Sequence, residues 1–253
     1  MKSFKEYLNE KDTVYGVFCK TNDPFFIKVL GRSGFDFVIL DNEHGPNSVR
    51  ETFPLVQTAW ATGMYPVVRV GKLEDIRIQR TLDLGIAGVQ IPQVQSKADA
   101  EKVRQYTKFH PKGKRGMCCF VMGADGGIMD KNDYFRSQNE DVAVIVHIEG
   151  TEGIDCLDDI MAMDAIDIIF IGPYDLSQSL GIPGQVNDPR LLEAVEDIVA
   201  RCKAKNKHVG IYVDDVATAK RYKDIGVKYI GISVDVNIFA KSCVDLVDKL
   251  NAL

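Results

Sequence analysis

The chain has 253 residues and a net charge of −5. That length suits one well-buried core over residues 1–253, and the negative charge, with no basic stretch interleaved with aromatics, argues against nucleic acid as a partner. Its apolar runs fall short of the roughly 20 residues that a bilayer span needs, and the N-terminal segment is amphipathic without a signal peptide's apolar centre, so a cytoplasmic protein with no membrane partner is expected.

In chain order, apolar β-rich runs alternate with helical segments. The runs fall at residues 14–20, 36–40, 66–70 and 88–91, then at 142–149, 167–171, 208–213 and 228–233. Residues 191–205 show the intervening period: Leu192, Val195, Ile198 and Val199 mark one face. Asp188-Pro189 reads as a cap and first-turn proline. Gly34, Gly85 and Gly226 each end a helix just before a strand. Eight strands alternating with helices imply parallel crossovers, and about 250 residues is typical of a (β/α)₈ TIM barrel. That barrel is the predicted fold, ahead of an open doubly wound sheet. Residues 111–139 break the rhythm and are predicted to form a lid or site-lining excursion. The six cysteines contain no C-x-x-C and read as reduced thiols.

Several strand ends carry groups suited to chemistry. Val-Ile-Val-His-Ile-Glu ends at Glu149, and Ile-Ile-Phe-Ile-Gly-Pro-Tyr-Asp ends at Asp175. In a barrel both carboxylates reach the same rim, where oxygen ligands suit Mg²⁺ or a similar cation; helix capping is the competing role for each. Leu40-Asp41-Asn42-Glu43-His44-Gly45-Pro46 follows the second run, so His44 is placed as a general base with Asp41 able to orient its ring. Asp41 and Glu43 also fit plain loop or capping roles, and His44 that of a satisfied surface group. Arg69 sits in an apolar strand and must find an anion or face the barrel mouth. The Gly172-Pro173 turn leaves the backbone N–H of Tyr174 free to receive a carboxylate. There is no phosphate-binding glycine loop and no local nucleophile signature. Lys20 is read as an exposed strand end and not as an imine-forming lysine.

In order, L-D-N-E-H-G-P, P-V-V-R-V, G-V-Q-I-P, K-R-G, H-I-E-G and I-F-I-G-P-Y-D-L-S-Q-S-L-G make a series that resembles the HpcH/HpaI aldolase/citrate lyase family, from about residue 12 to the C-terminus. The resemblance implies a barrel of the phosphoenolpyruvate/pyruvate-domain type whose last helix is swapped between subunits of a hexamer, a trimer of dimers. It implies a metal-dependent class II pyruvate aldolase that cleaves a 4-hydroxy-2-oxo acid to pyruvate and an aldehyde. Glu149 and Asp175 would hold Mg²⁺, Mn²⁺ or Co²⁺. Arg69 would contact the pyruvate carbonyl, and His44, oriented by Asp41, would handle the hydroxyl proton. Gly172 and the backbone at Tyr174 would hold the carboxylate, and Asp83 would reach a neighbouring subunit's site. His147 replaces a glutamine of many relatives, where it would touch substrate or the metal's surroundings. Tyr174 is bulkier than the usual alanine, and Gly123 stands where some relatives carry an arginine. An oxaloacetate-like decarboxylase, a carbon–carbon bond-forming synthase and a non-catalytic binding barrel are the alternatives.

Overall fold

The structure, a computed structural model, describes all 253 residues. Its eight strands close into a parallel barrel in chain order, as predicted. They are β1 (Val14–Cys19), β2 (Phe37–Asp41), β3 (Tyr65–Arg69), β4 (Gly88–Ile91), β5 (Ala143–Ile148), β6 (Ile168–Ile171), β7 (His208–Val213) and β8 (Tyr229–Val234). Helix α1 (Phe4–Glu10) precedes the barrel. Outside it lie α2 (Pro24–Arg32), α3 (Val49–Thr62), α4 (Asp75–Leu82), α5 (Lys97–Thr107) and α6 (Lys131–Glu140). The second half adds α7 (Thr151–Asp155), α8 (Leu157–Met161), α9 (Pro173–Ser179), α10 (Pro189–Ala204), α11 (Val216–Asp224) and α12 (Asp235–Asn251). Asp188 caps α10 by accepting the Arg190 N–H, with Pro189 in its first turn. Gly34, Gly85 and Gly226 take φ of +97°, +74° and +98°, the left-handed conformation that ends a helix.

Strands β2 to β6 are buried at every position and largely apolar, because both faces are covered. Outward side chains join the helices in a cluster of 45 buried residues. Inward side chains make a separate cluster of 14, including Phe37, Ile39, Val67, Ile145, Phe170 and Tyr229. Ring stacking of Phe37 on Tyr229 at 4.2 Å fills the barrel centre. Gly210 is needed there, since a Cβ would lie 2.5 Å from the Tyr229 ring. A capping box between Ser3 and Glu6 starts α1, whose buried Phe4 and Leu8 join that inner cluster and close the end where the strands begin.

Strand alternation carries this inner ladder upward into the site. Above Phe37 and Ile39 comes Asp41; above Tyr65 and Val67 comes Arg69; above Ala143 and Ile145 come His147 and Glu149. The functional side chains are therefore the last inward rungs, where the barrel meets solvent.

Two stretches differ from the sequence reading. Residues 111–139 are not a lid over this mouth. They contain a short 3₁₀ segment, Met122–Gly127, and most of α6. The Gly123 N–H donates to the Asp83 carbonyl at 3.0 Å, packing the segment against the α4–β4 joint at the opposite end of the barrel. The helix escaped notice because α6 buries only Tyr134 and Gln138, too few to mark a period. Helix α12 buries only Asp235 and leaves Phe239, Leu246, Val247 and Leu250 at least half exposed. No helix is long and apolar enough to cross a membrane.

Candidate active site

A cavity of about 360 Å³ opens at the carboxyl ends of the strands, lined in part by Lys20, His44, Arg69, His147, Glu149, Gly172, Tyr174 and Asp175. Seven of the nine residues singled out from sequence thus line one pocket, and Asp41 lies directly beneath it.

Register brings Asp41 and Arg69 together, because they are Cα partners across β2 and β3. Arg69 donates from Nε and Nη2 to the two Asp41 oxygens at 2.9 and 2.8 Å, and its Nη1 lies 2.9 Å from Glu43 Oε2. Burial pushes the Asp41 carboxyl up, but the guanidinium and two backbone N–H groups outweigh it and hold the group below the usual carboxylate range. Glu43 goes the other way: burial raises it despite Arg69. Two of the five guanidinium N–H groups are therefore committed to Asp41, and Glu43 stands at Nη1 as a second counter-charge. The Phe18 ring lies under the guanidinium at 5.1 Å, so the fork is held on every side but the pocket's.

His44 is placed differently from the expectation. Asp41 accepts its backbone N–H at 3.3 Å, while the imidazole stands out toward solvent with Nε2 3.9 Å from Glu43 Oε2. Asp41 is saturated by Arg69 and backbone donors, which is why the ring does not reach it. Glu43 is the carboxylate near the imidazole, a role that its place in an acidic loop concealed.

His147 lines the pocket with its ring but commits both nitrogens internally. Gln90 Nε2 lies 2.6 Å from His147 Nε2, and His147 Nδ1 lies 3.0 Å from Glu149 Oε2. The Tyr229 hydroxyl donates to Gln90 Oε1 at 3.1 Å. With the Gln90 amide donating, the imidazole proton sits on Nδ1 and points at Glu149. Ring stacking on Phe170 at 4.7 Å fixes the plane. The Gln93 N–H donates to the other Glu149 oxygen at 2.8 Å. Burial raises the Glu149 carboxyl, but His147, this N–H and Arg69 more than offset it, leaving it below its ordinary value. Gln90 was missed although one amide in an apolar strand is a signal, since a buried polar group needs a partner.

Gly172 begins α9, and a Cβ there would lie 2.9 Å from Glu149 Oε2. The glycine thus leaves that oxygen open to the pocket. Asp175 follows in the first turn of α9, exposed. Two carboxylates on one pocket, with Glu149 Oε2 bonded on one side by His147 and clear of any side chain at Gly172, fit a hard cation that completes its shell with water and ligand oxygens. No group of three or more His, Cys, Asp or Glu side chains is arranged to hold a metal ion, as that mode of binding allows.

Asp83 is not brought to this pocket. It ends α4 at the far end of the barrel, where Arg115 Nη2 binds it at 2.7 Å.

A closed parallel barrel with a charged pocket at its carboxyl rim has the architecture of a (β/α)₈ enzyme. The model of the HpcH/HpaI aldolase/citrate lyase family matches residues 14–242, and the chain belongs to that family. The 5-keto-4-deoxy-D-glucarate aldolase of Shigella boydii serotype 18 is 33% identical over 245 residues, 97% of this chain and 95% of that protein. A HpcH/HpaI aldolase/citrate lyase family protein from Burkholderia cenocepacia J2315 superposes with a TM-score of 0.93 at 30% identity, covering 99% of this chain and 100% of that one. The citrate synthase SbnG superposes with a TM-score of 0.90, also at 30% identity, over 99% of this chain and 98% of its own.

Proposed function

We propose that this protein is a class II pyruvate aldolase, cleaving a 4-hydroxy-2-oxo acid to pyruvate and an aldehyde through the pyruvate enolate. The observation that carries the proposal is the clamped Arg69 fork facing the same cavity as Glu149 and Asp175. Glu149 and Asp175 would hold Mg²⁺, Mn²⁺ or Co²⁺, which when bound supplies Lewis-acid stabilisation of negative charge on the 2-oxo acid.

The chain's own groups do the rest. The Arg69 donors not bound to Asp41 face the oxygen that gains charge as the enolate forms, and Asp41 and Glu43 hold the guanidinium there before substrate arrives. The Tyr174 N–H beside Gly172 orients the substrate carboxylate. His44 takes the proton from the C4 hydroxyl as the C3–C4 bond breaks. That electron pair moves onto C3 and the 2-oxo oxygen, the aldehyde departs, and a proton returned to C3 gives pyruvate. His147 positions Glu149.

Condensation in the reverse sense uses the same enolate, and likeness to the citrate synthase SbnG supports keeping a bond-forming synthase as the second reading. Asp83 and the bare face of α12 fit a cytoplasmic homo-oligomer, a hexamer, in which Asp83 serves a neighbouring subunit. The test is pyruvate release from 4-hydroxy-2-oxo acids, followed by coupled reduction to lactate. Release that stops with chelator and returns with Mg²⁺, Mn²⁺ or Co²⁺ supports the proposal. Release unaffected by chelator contradicts it.

A further inference from the structure

The mouth of the cavity has two unlike halves. Charged and polar groups come from the loop after β2, from β3 and from β5, as His44, Arg69, His147 and Glu149, with Asp175 just past β6. From β6 round through β7 and β8 to β1, which follow one another in the closed ring, the strand side chains that line the cavity are Phe170, Tyr212, Val234 and Phe18. Lys20 ends that arc but belongs to the charged half, with Nζ 4.0 Å from Asp41 Oδ2.

The apolar half is built as one surface. Phe18 packs edge-on against Phe170 at 6.1 Å and Tyr212 at 5.6 Å. Tyr174, on α9, continues from Tyr212 at 6.0 Å. Both tyrosine hydroxyls donate to Asp214, at 2.7 and 3.0 Å, and Asp214 is not among the residues that line the cavity. Each tyrosine has a single hydroxyl proton, and each is spent on a group outside the cavity. What the two residues present to a ligand is therefore ring carbon. Tyr174 keeps 45% of its surface exposed, so its ring is bare until a ligand covers it. A ligand hydroxyl laid on such a surface gives up water without gaining a donor, which costs binding energy, whereas an alkyl group there gains by burial.

We infer that this aromatic arc receives the body of the acceptor aldehyde, and that Tyr174 is a specificity-determining residue. The substrate class is then a 4-hydroxy-2-oxo acid whose aldehyde half is apolar and not hydroxylated. The charged half takes the 2-oxo acid end, through Arg69 and the Glu149 side, and the arc is the surface left for the remaining atoms. This assignment rests on the enolate reading above.

The experiment measures addition of pyruvate, with Mg²⁺, Mn²⁺ or Co²⁺, to acceptors matched in size: propanal against glycolaldehyde, and 2-methylpropanal against lactaldehyde. Each kcat/KM ratio is compared among the native protein, Tyr174→Ala and Tyr174→Phe, so that the intrinsic reactivity of the aldehydes cancels. The native protein should favour the apolar member of each pair about tenfold, the cost of a hydroxyl buried without a partner. Tyr174→Ala should lower that preference about fourfold or more, as expected when one methylene's worth of apolar contact is lost. Tyr174→Phe, which keeps the ring, should retain it. A native preference for the hydroxylated members, or a preference that survives in Tyr174→Ala, overturns the assignment. So does a loss in Tyr174→Phe as large as in Tyr174→Ala, which would place the effect in the hydroxyl and not in the ring. Exchange of pyruvate methyl protons by the native protein is read in parallel. Exchange without the apolar preference overturns only this assignment, whereas no exchange overturns the enolate reading and this assignment with it.

Discussion

Replacing Asp41 with asparagine tests the joint that holds the reactive arginine. The carboxylate accepts Arg69 through both oxygens and the N–H groups of Glu43 and His44 at 3.1 and 3.3 Å. An amide keeps one acceptor oxygen but turns its NH₂ toward a guanidinium that can only donate. Breaking a buried ion pair costs about 3–5 kcal/mol, and Glu43 remains as a counter-charge for Arg69, so the expected loss is about 2–4 kcal/mol. For a chain of this size each kcal/mol lowers the melting temperature by roughly 2–4 °C, giving a fall on the order of 5–15 °C. Urea unfolding at fixed protein concentration reads the same loss as a lower midpoint with an unchanged slope. Arg69→Met and the double variant complete a cycle, with a coupling energy of at least about 1 kcal/mol expected. A loss below about 0.5 kcal/mol, or strict additivity in the cycle, would refute the clamp.

Three further outcomes are expected. Asp235 accepts from Cys19, Thr21 and the Lys20 N–H, and although burial raises its carboxyl, these donors hold it below the ordinary value. Its stabilisation is therefore present above the unfolded value of about 3.9 and lost as pH falls through the lower folded value; Asp235→Asn should flatten the acid decline of the urea midpoint, and an unchanged decline contradicts this. Gln90→Met leaves His147 Nε2 without its partner, and apparent metal affinity, measured by activity against free metal concentration, should weaken about 10- to 100-fold; unchanged affinity removes His147 from the positioning role. Glu149→Gln and Asp175→Asn should each lower the rate of pyruvate release by about a hundredfold or more, whereas native turnover in both would remove the carboxylate pair from the chemistry.

The barrel was legible because its strands are apolar on both faces, so their lengths and spacing could be read directly, to within one residue at each end. The main site residues were legible too, because a polar group ending such a strand must emerge at the rim. What stayed hidden depends on register and closure. Glu43 looks like any acidic loop residue until β2 and β3 pair and bring Arg69 beside it. Tyr212 and Asp214 gain meaning only when β7 closes beside β6. Lys20 passed for a solvent-exposed strand end because nothing local reveals that β1 faces β5 across the mouth. Asp83 was placed by resemblance, and the structure sets it at the far end of the barrel against Arg115, away from the pocket.

The most direct measurement is proton–deuterium exchange at the pyruvate methyl group, followed by NMR in D₂O with Mg²⁺, Mn²⁺ or Co²⁺ and a chelator control. It needs no knowledge of the aldehyde, since only the enolate half of the reaction is read. Exchange that requires metal and falls sharply in Arg69→Met is the predicted result. No exchange with any of the three metals would contradict the central claim that this pocket makes a pyruvate enolate.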